Sequence, residues 1–187
     1  MKKFILVHRW SGGPEDDWRP WLKTELENLG CEVLVPEMPE TDTPRIDAWV
    51  SHLENISGEN LEDTYFVGHS IGGQAIMRMI EKSDKKVGGA FFVSGWFNLE
   101  NLEDEEVAEI AKPWIETPID TSKLKELIPH TSLVISDNDP FGYFEYNKEK
   151  FSEIGANIVV LHNAGHITED DGYKELPELL EEIKKIL

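Results

Sequence analysis

Short β-rich apolar runs alternate with longer amphipathic stretches along this whole sequence, and few folds satisfy that rhythm. Phe4–Val7, Glu32–Val35, Thr64–Val67, Val87–Val93, Ser132–Ile135 and Ile158–Leu161 read as strands. Helical spacings lie between them. Trp18–Asn28 puts Trp18, Trp21, Leu22 and Leu26 on one stripe, with Gly30 as a C-cap. Thr43-Pro44 opens a helix whose apolar positions are Ile46, Trp49, Val50 and Leu53. Ile71–Glu81, a stretch near Tyr143–Ile154 and a last helix Tyr173–Ile186 complete the series. Strands alternating with helices imply right-handed βαβ crossovers. The expected product is an α/β fold: a single-domain, three-layer α/β/α sandwich on a mostly parallel sheet of about six strands. The segment Gly95–His130 breaks the rhythm with an acidic run (Glu100, Glu103, Asp104, Glu105, Glu106) followed by Lys112-Pro113-Trp114. It predicts an excursion above the sheet, a small helical cap over residues 95–130.

Composition excludes several classes. The 187 residues suit one domain and carry a formal charge of −19, which repels nucleic acid and anionic membranes at long range. Phe4–Val7 stops at His8-Arg9, too short for an export signal, and no stretch reaches the roughly 18 apolar residues of a membrane span. Cys31 is the one cysteine, so no internal disulfide can form. The expectation is a cytoplasmic protein, monomeric or a small homo-oligomer. No His/Cys/Asp/Glu group has metal-ligand spacing, so neither metal nor cofactor is expected.

In open parallel sheets the chemistry lies beyond the carboxyl ends of the strands. Three such places stand out. Gly68-His69-Ser70-Ile71-Gly72-Gly73 matches G-x-S-x-G between a strand and a helix, the layout of a nucleophile elbow in an α/β-hydrolase fold. The turn must be tight enough to strain the serine backbone, and its neighbours must lack bulk. The helix N-terminus then supplies positive potential for an oxyanion. A glycine-rich packing turn is the plainer alternative; the loop lacks the Lys-Ser/Thr end of a Walker A motif. Ser136-Asp137-Asn138-Asp139-Pro140-Phe141 follows a strand, and either Asp137 or Asp139 can orient an imidazole while the other caps a turn. Gly165-His166 comes last, giving the order Ser…Asp…His that this fold requires; His162 is the rival, nearer the strand end and more structural in character. His8-Arg9-Trp10-Ser11-Gly12-Gly13 follows the first strand. It is the loop from which the backbone N–H of Trp10 would join that of Ile71 in an oxyanion hole.

These residues resemble the retinoblastoma-binding-protein-9/YdeN family of small serine hydrolases, a minimal branch of the α/β hydrolases. The likeness runs nearly end to end. It rests on the first loop with Trp18 and Trp21-Leu22, on Gly68 to Gly73, on Pro113-Trp114, on Ser136 to Phe141 and on Gly165-His166. The resemblance implies that the acid is the aspartate directly before Pro-Phe, Asp139, and that the activity is esterase-like, on small acyl groups, without a cofactor. Two departures stand out: Arg9 occupies a position where relatives tend to have glycine, and Gly142-Tyr143 follow Phe141 where relatives continue with an aliphatic residue and proline. The retinoblastoma-binding motif Leu-x-Cys-x-Glu is not carried over, because Leu29-Gly30-Cys31-Glu32-Val33 ends in valine.

The expected function is hydrolysis of a small ester or amide through an acyl-enzyme on Ser70, with His166 as base and Asp139 as its orienting acid. Trp96, Phe97, Trp114 and Phe141, with Trp10, are expected to wall a compact apolar pocket for a small-molecule acyl substrate. Arg9 and the altered acid loop motivate a rival, a binding protein that keeps the fold without useful turnover; a small peptidase or thioesterase is a further alternative.

Overall fold

The computed structural model describes all 187 residues. The strands are β1 (Lys3–Val7), β2 (Glu32–Leu34), β3 (Thr64–His69), β4 (Gly89–Val93), β5 (Thr131–Ser136) and β6 (Asn157–Leu161). They form one sheet in the order β2-β1-β3-β4-β5-β6, and every pairing is parallel. Because all strands run one way, β1, β3, β4, β5 and β6 end along one edge. The residues that follow them are His8, Ser70, Ser94, Asp137 and His162.

Alternation within the strands builds two cores. Phe4, Leu6, Val67, Phe91 and Val93 face one layer with α1 (Arg19–Asn28) and α7 (Pro177–Lys184). Ile5, Val7, Phe66, Phe92 and Leu133 face the other, with α2 (Ile46–Ser57), α3 (Ile71–Ser83), α5 (Thr121–Leu127) and α6 (Phe144–Glu153). This is the three-layer sandwich that strand–helix alternation predicts. No helix is long and apolar enough to cross a membrane.

The last helix is shorter than its periodicity suggests. Pro177 forces Leu176 into an extended backbone (φ −141°, ψ 74°), so helix cannot propagate upstream through it. The excursion divides in two. Residues 117–130 hold α5, an ordinary crossover helix packed on α3 and capped by Asp120, whose carboxylate accepts from Lys123 N. The part outside the sheet rhythm is residues 95–116, with α4 (Glu105–Glu116) capped by Asp104. Of its acidic run, Glu105 and Glu106 thereby lie in the first turn of the helix, where the dipole favours negative charge.

The N-terminus of α3 touches the end of β1 with no space between them. A Cβ on Gly72 would stand 2.6 Å from the His8 carbonyl oxygen and 2.7 Å from that of Val7. Gly72→Ala sets a helix-propensity gain of up to about 1 kcal/mol against collision with main chain. The collision should win, with a net loss of about 1–3 kcal/mol in urea unfolding; a variant as stable as the parent would refute this contact.

Candidate active site

Ser70 occupies the sharp turn between β3 and α3, with φ 53° and ψ −120°. A non-glycine residue at positive φ stores strain, and the surroundings must hold it there. Here Ser70 N donates to Val93 O at 2.9 Å, and Gly73 N donates to Ser70 O at 2.9 Å. The first N–H groups of α3 lack intrahelical acceptors and lie at the positive end of the helix dipole. The Ser70 hydroxyl accepts a hydrogen bond from the indole Nε1 of Trp96 at 3.3 Å, and is not hydrogen-bonded to His166. Contacts between nucleophile and base are often long before substrate binds.

His166 Nδ1 is 2.7 Å from Asp139 Oδ2. A carboxylate beside Nδ1 fixes the tautomer: Nδ1–H donates, and Nε2 keeps its lone pair. Asp139 is itself positioned by Phe141 N, which donates to Oδ1 at 3.0 Å. The imidazole lies between two rings, stacked on His69 at 5.3 Å and edge-on to Phe141 at 5.4 Å. The rival pair is spatially separate. His162 Nδ1 meets Asp137 Oδ2 at 2.6 Å, with the His162 side chain mostly in solvent, and Asp137 also accepts from Asn163 N. The two aspartates of the acid loop thus serve two different histidines.

One cavity of about 490 Å³ opens over this edge, and Trp10, Ser70, Ile71, Trp96, Phe141 and His166 all line it. Leu99, Leu102 and Val107 of the excursion add apolar wall, while Arg9, Asp170 and Asp171 add charge. The excursion is stitched to the acid loop by main-chain contacts, Leu99 pairing with Gly142 and Glu100 N donating to Phe141 O at 3.0 Å. Two expected wall residues are elsewhere. Trp114 is buried between helices, edge-on to Trp49, with its Nε1 donating to Pro44 O. Phe97 packs on Phe151, and its backbone N–H is taken by Asn147. Trp114 belongs to the core under α4, and Phe97 packs half-buried against that core where the chain after Trp96 meets α6.

A buried charge cluster, which periodicity does not reveal, underlies the site. Asp17 Oδ2 accepts from Arg9 Nε at 3.1 Å and Arg19 Nη2 at 3.0 Å, and Oδ1 accepts from Glu169 N at 3.0 Å. Burial alone would raise the Asp17 carboxyl; the Glu169 N–H and the Arg19 guanidinium reverse this and hold it below the usual carboxylate range. His69 is fully enclosed, and burial pushes its pKa down to about 4. Its Nε2–H donates to His166 O at 2.9 Å, which leaves Nδ1 to take the Arg19 guanidinium at 3.4 Å. Ser94 Oγ donates to the same carbonyl at 3.0 Å, and Trp18 Nε1 donates to Ile167 O at 3.2 Å. These bonds restrain Ile167, a β-branched residue at φ 57°. His8 is a second neutral imidazole, lowered chiefly by burial, donating to Arg9 O and accepting from Met38 N.

Comparison with known proteins decides the family. The model described as serine hydrolase matches residues 4–185. The chain belongs to the serine hydrolase family. Among this hydrolase's relatives, the YdeN protein of Bacillus subtilis is 28% identical over 178 residues, covering 94% of this chain and 91% of that one. The crystal structure of the B. subtilis ydeN gene product superposes with a TM-score of 0.90 at 26% identity, covering 100% of this chain and 98% of that one. A carboxylesterase structure from Nitrososphaera gargenis shares the fold, with a TM-score of 0.75 at 15% identity over 99% of this chain and 90% of that one.

The buried histidine of the hydrolase makes a pH signature. Between about pH 6.5 and about pH 4 the unfolded chain takes up a proton at residue 69 that the folded chain refuses. Stability therefore falls as pH drops through that window. Asp17 works lower on the scale: its contribution is complete above the unfolded carboxylate value and is lost only as pH falls below it. His69→Gln should flatten the slope of unfolding free energy against pH within the window, with His8 and lowered carboxylates such as Glu182 keeping the remainder. An unchanged slope in urea titrations would contradict the assignment.

Proposed function

We propose that this serine hydrolase cleaves small esters through an acyl-enzyme on Ser70, with His166 as general base and Asp139 as its orienting acid. The observation that carries the reading is the 2.7 Å contact between His166 Nδ1 and Asp139 Oδ2, beside Ser70 in the same cavity. With Nδ1–H committed to the carboxylate, Nε2 is free to take the Ser70 proton as Oγ attacks the carbonyl carbon. The negative charge moves to the carbonyl oxygen, where the N–H groups of Ile71 and Trp10 would receive it; each such donor is worth about 10²–10³ in rate. His166 then protonates the leaving alcohol. Water repeats the sequence on the acyl-enzyme and frees Ser70.

The cavity bears on the acyl group rather than on the leaving group. Apolar side chains of Trp96, Leu99, Leu102, Val107 and Phe141 suit a short aliphatic or aromatic acyl group. The carboxylesterase likeness at the level of fold agrees with this. The Arg9 departure does not weaken the oxyanion loop. Its guanidinium is drawn to Asp17 and also donates to Trp10 O at 3.3 Å, so it braces the loop that would supply the Trp10 N–H. That favours an enzyme over a fold retained for binding alone.

A fluorophosphonate probe should label the parent and not Ser70→Ala, and p-nitrophenyl acetate turnover should vanish in that variant. Asp139→Asn should lower kcat by about 10³–10⁴ through loss of the tautomer. Asp137→Asn should keep kcat within about threefold, since its partner histidine stands in solvent. Equal losses at the two aspartates would assign the acid wrongly, and phosphonate labelling that survives in Ser70→Ala would remove the nucleophile.

A further inference from the structure

We infer that Trp96 is a catalytic hydrogen-bond donor to the Ser70 oxygen, acting mainly when the acyl group is released; this rests on the acyl-enzyme reading above. The indole Nε1 stands 3.3 Å from Ser70 Oγ, and both residues are buried. An indole N–H donates and never accepts, and it does not titrate near neutral pH. It is therefore a fixed dipole aimed at the oxygen whose charge changes during the reaction.

The placement is built rather than incidental. Ser94 leaves β4 with φ 46°, and Gly95 follows where a Cβ would stand 2.7 Å from Phe151 Cζ. The chain turns there and presents Trp96 to the nucleophile. The Trp96 carbonyl accepts from Gln74 Nε2 at 2.7 Å, and Gln74 Oε1 accepts from Arg78 Nε at 3.2 Å. Arg78 Nη2 is anchored on the Trp114 and Thr117 carbonyls at 2.7 and 2.8 Å. Gln74 and Arg78 are one and two turns beyond Ser70 on α3. One helix thus holds both the acceptor and the support of its donor, through groups that are costly to bury unless satisfied.

The direction of the effect follows from the acceptor strength of Oγ. In the resting enzyme Oγ is a hydroxyl, a good acceptor, and the bond already exists. In the acyl-enzyme Oγ is an ester oxygen, a poor one. During release, the C–Oγ bond breaks, its electron pair returns to Oγ, and His166 Nε2 delivers the proton. Partial negative charge builds on Oγ as the bond breaks, and the Trp96 N–H meets it. The same charge develops when Ser70 attacks, but that step starts from a hydroxyl already bonded to the indole. Only interactions that strengthen between ground and transition state accelerate a step. The gain is therefore larger for deacylation than for acylation.

The test separates the two steps. Trp96 is replaced by β-(3-benzothienyl)alanine, which puts sulfur in place of the N–H and keeps the ring outline, and, for a genetically encoded comparison, by Trp96→Phe. Acylation by p-nitrophenyl acetate is followed as the nitrophenolate burst, and decay of the acetyl-enzyme by intact mass; thermal melting confirms that the isostere is folded. The deacylation constant should fall about tenfold, the strength of one charge-assisted hydrogen bond at the low end of its range, while acylation changes less than about threefold. Acetyl-enzyme should accumulate, lowering kcat and KM together. Unchanged constants, equal losses in both steps, or a larger loss in acylation would overturn the inference while leaving Ser70 as nucleophile. Absence of any acetyl adduct on Ser70 in the parent would instead sink the serine reading, and this inference with it.

Discussion

The direct contact between the first turn of α3 and the end of β1 governs the geometry of everything above the sheet. Helix and strand touch main chain to main chain because residue 72 has no side chain. That contact brings the left-handed Ser70 turn beside the loop containing Arg9 and Trp10. It also sets the depth at which Gln74 and Arg78, further along the same helix, reach the chain leaving β4. The strain at Ser70 is tolerable because two main-chain hydrogen bonds and this close packing leave the turn nowhere to relax.

Beneath the site, charge is compensated locally. The chain carries −19 overall, yet beneath the edge a single carboxylate, Asp17, receives two guanidinium groups and a backbone N–H. Such a cluster is a poor source of stability, since desolvation cancels much of the attraction. Its value is geometric. Asp17 reaches Arg9 in the loop after β1 and Glu169 in the loop after His166, so two segments far apart in sequence share one anchor. His69 and Ser94 hold the carbonyl of His166 from below, and Trp18 holds the next residue.

The sheet was readable because its four inner strands are buried on both faces and stand out as apolar runs between amphipathic stretches. The three residues proposed for catalysis were readable because each follows a strand and they occur in the order the fold demands. The choice between Asp137 and Asp139 was not legible in spacing. Both sit in one loop; in the sequence the family resemblance alone points to Asp139, and in the structure the pairing separates them, Asp139 with His166 and Asp137 with His162. The pocket walls were half legible. Aromatic residues on an excursion are equally suited to core and to cavity, and Trp114 went to the core while Phe97 packs against it. The Asp17 cluster gave no sign at all, and Trp96 was legible as a wall residue but not as a donor to Ser70, because hydrogen bonds across long sequence separations leave no period behind. Pro177 was a visible stop signal that the apolar spacing after Tyr173 overshadowed.

The seam between Leu99–Glu100 and Phe141–Gly142 has an evolutionary corollary. It is made by backbone atoms, so it is indifferent to which side chains decorate either strip. The residues that roof the cavity from the excursion, Leu102 and Val107 among them, can be exchanged without loosening the neighbouring carboxylate. A lineage with this seam can reshape the cavity one substitution at a time while the pairing of His166 with Asp139 stays fixed.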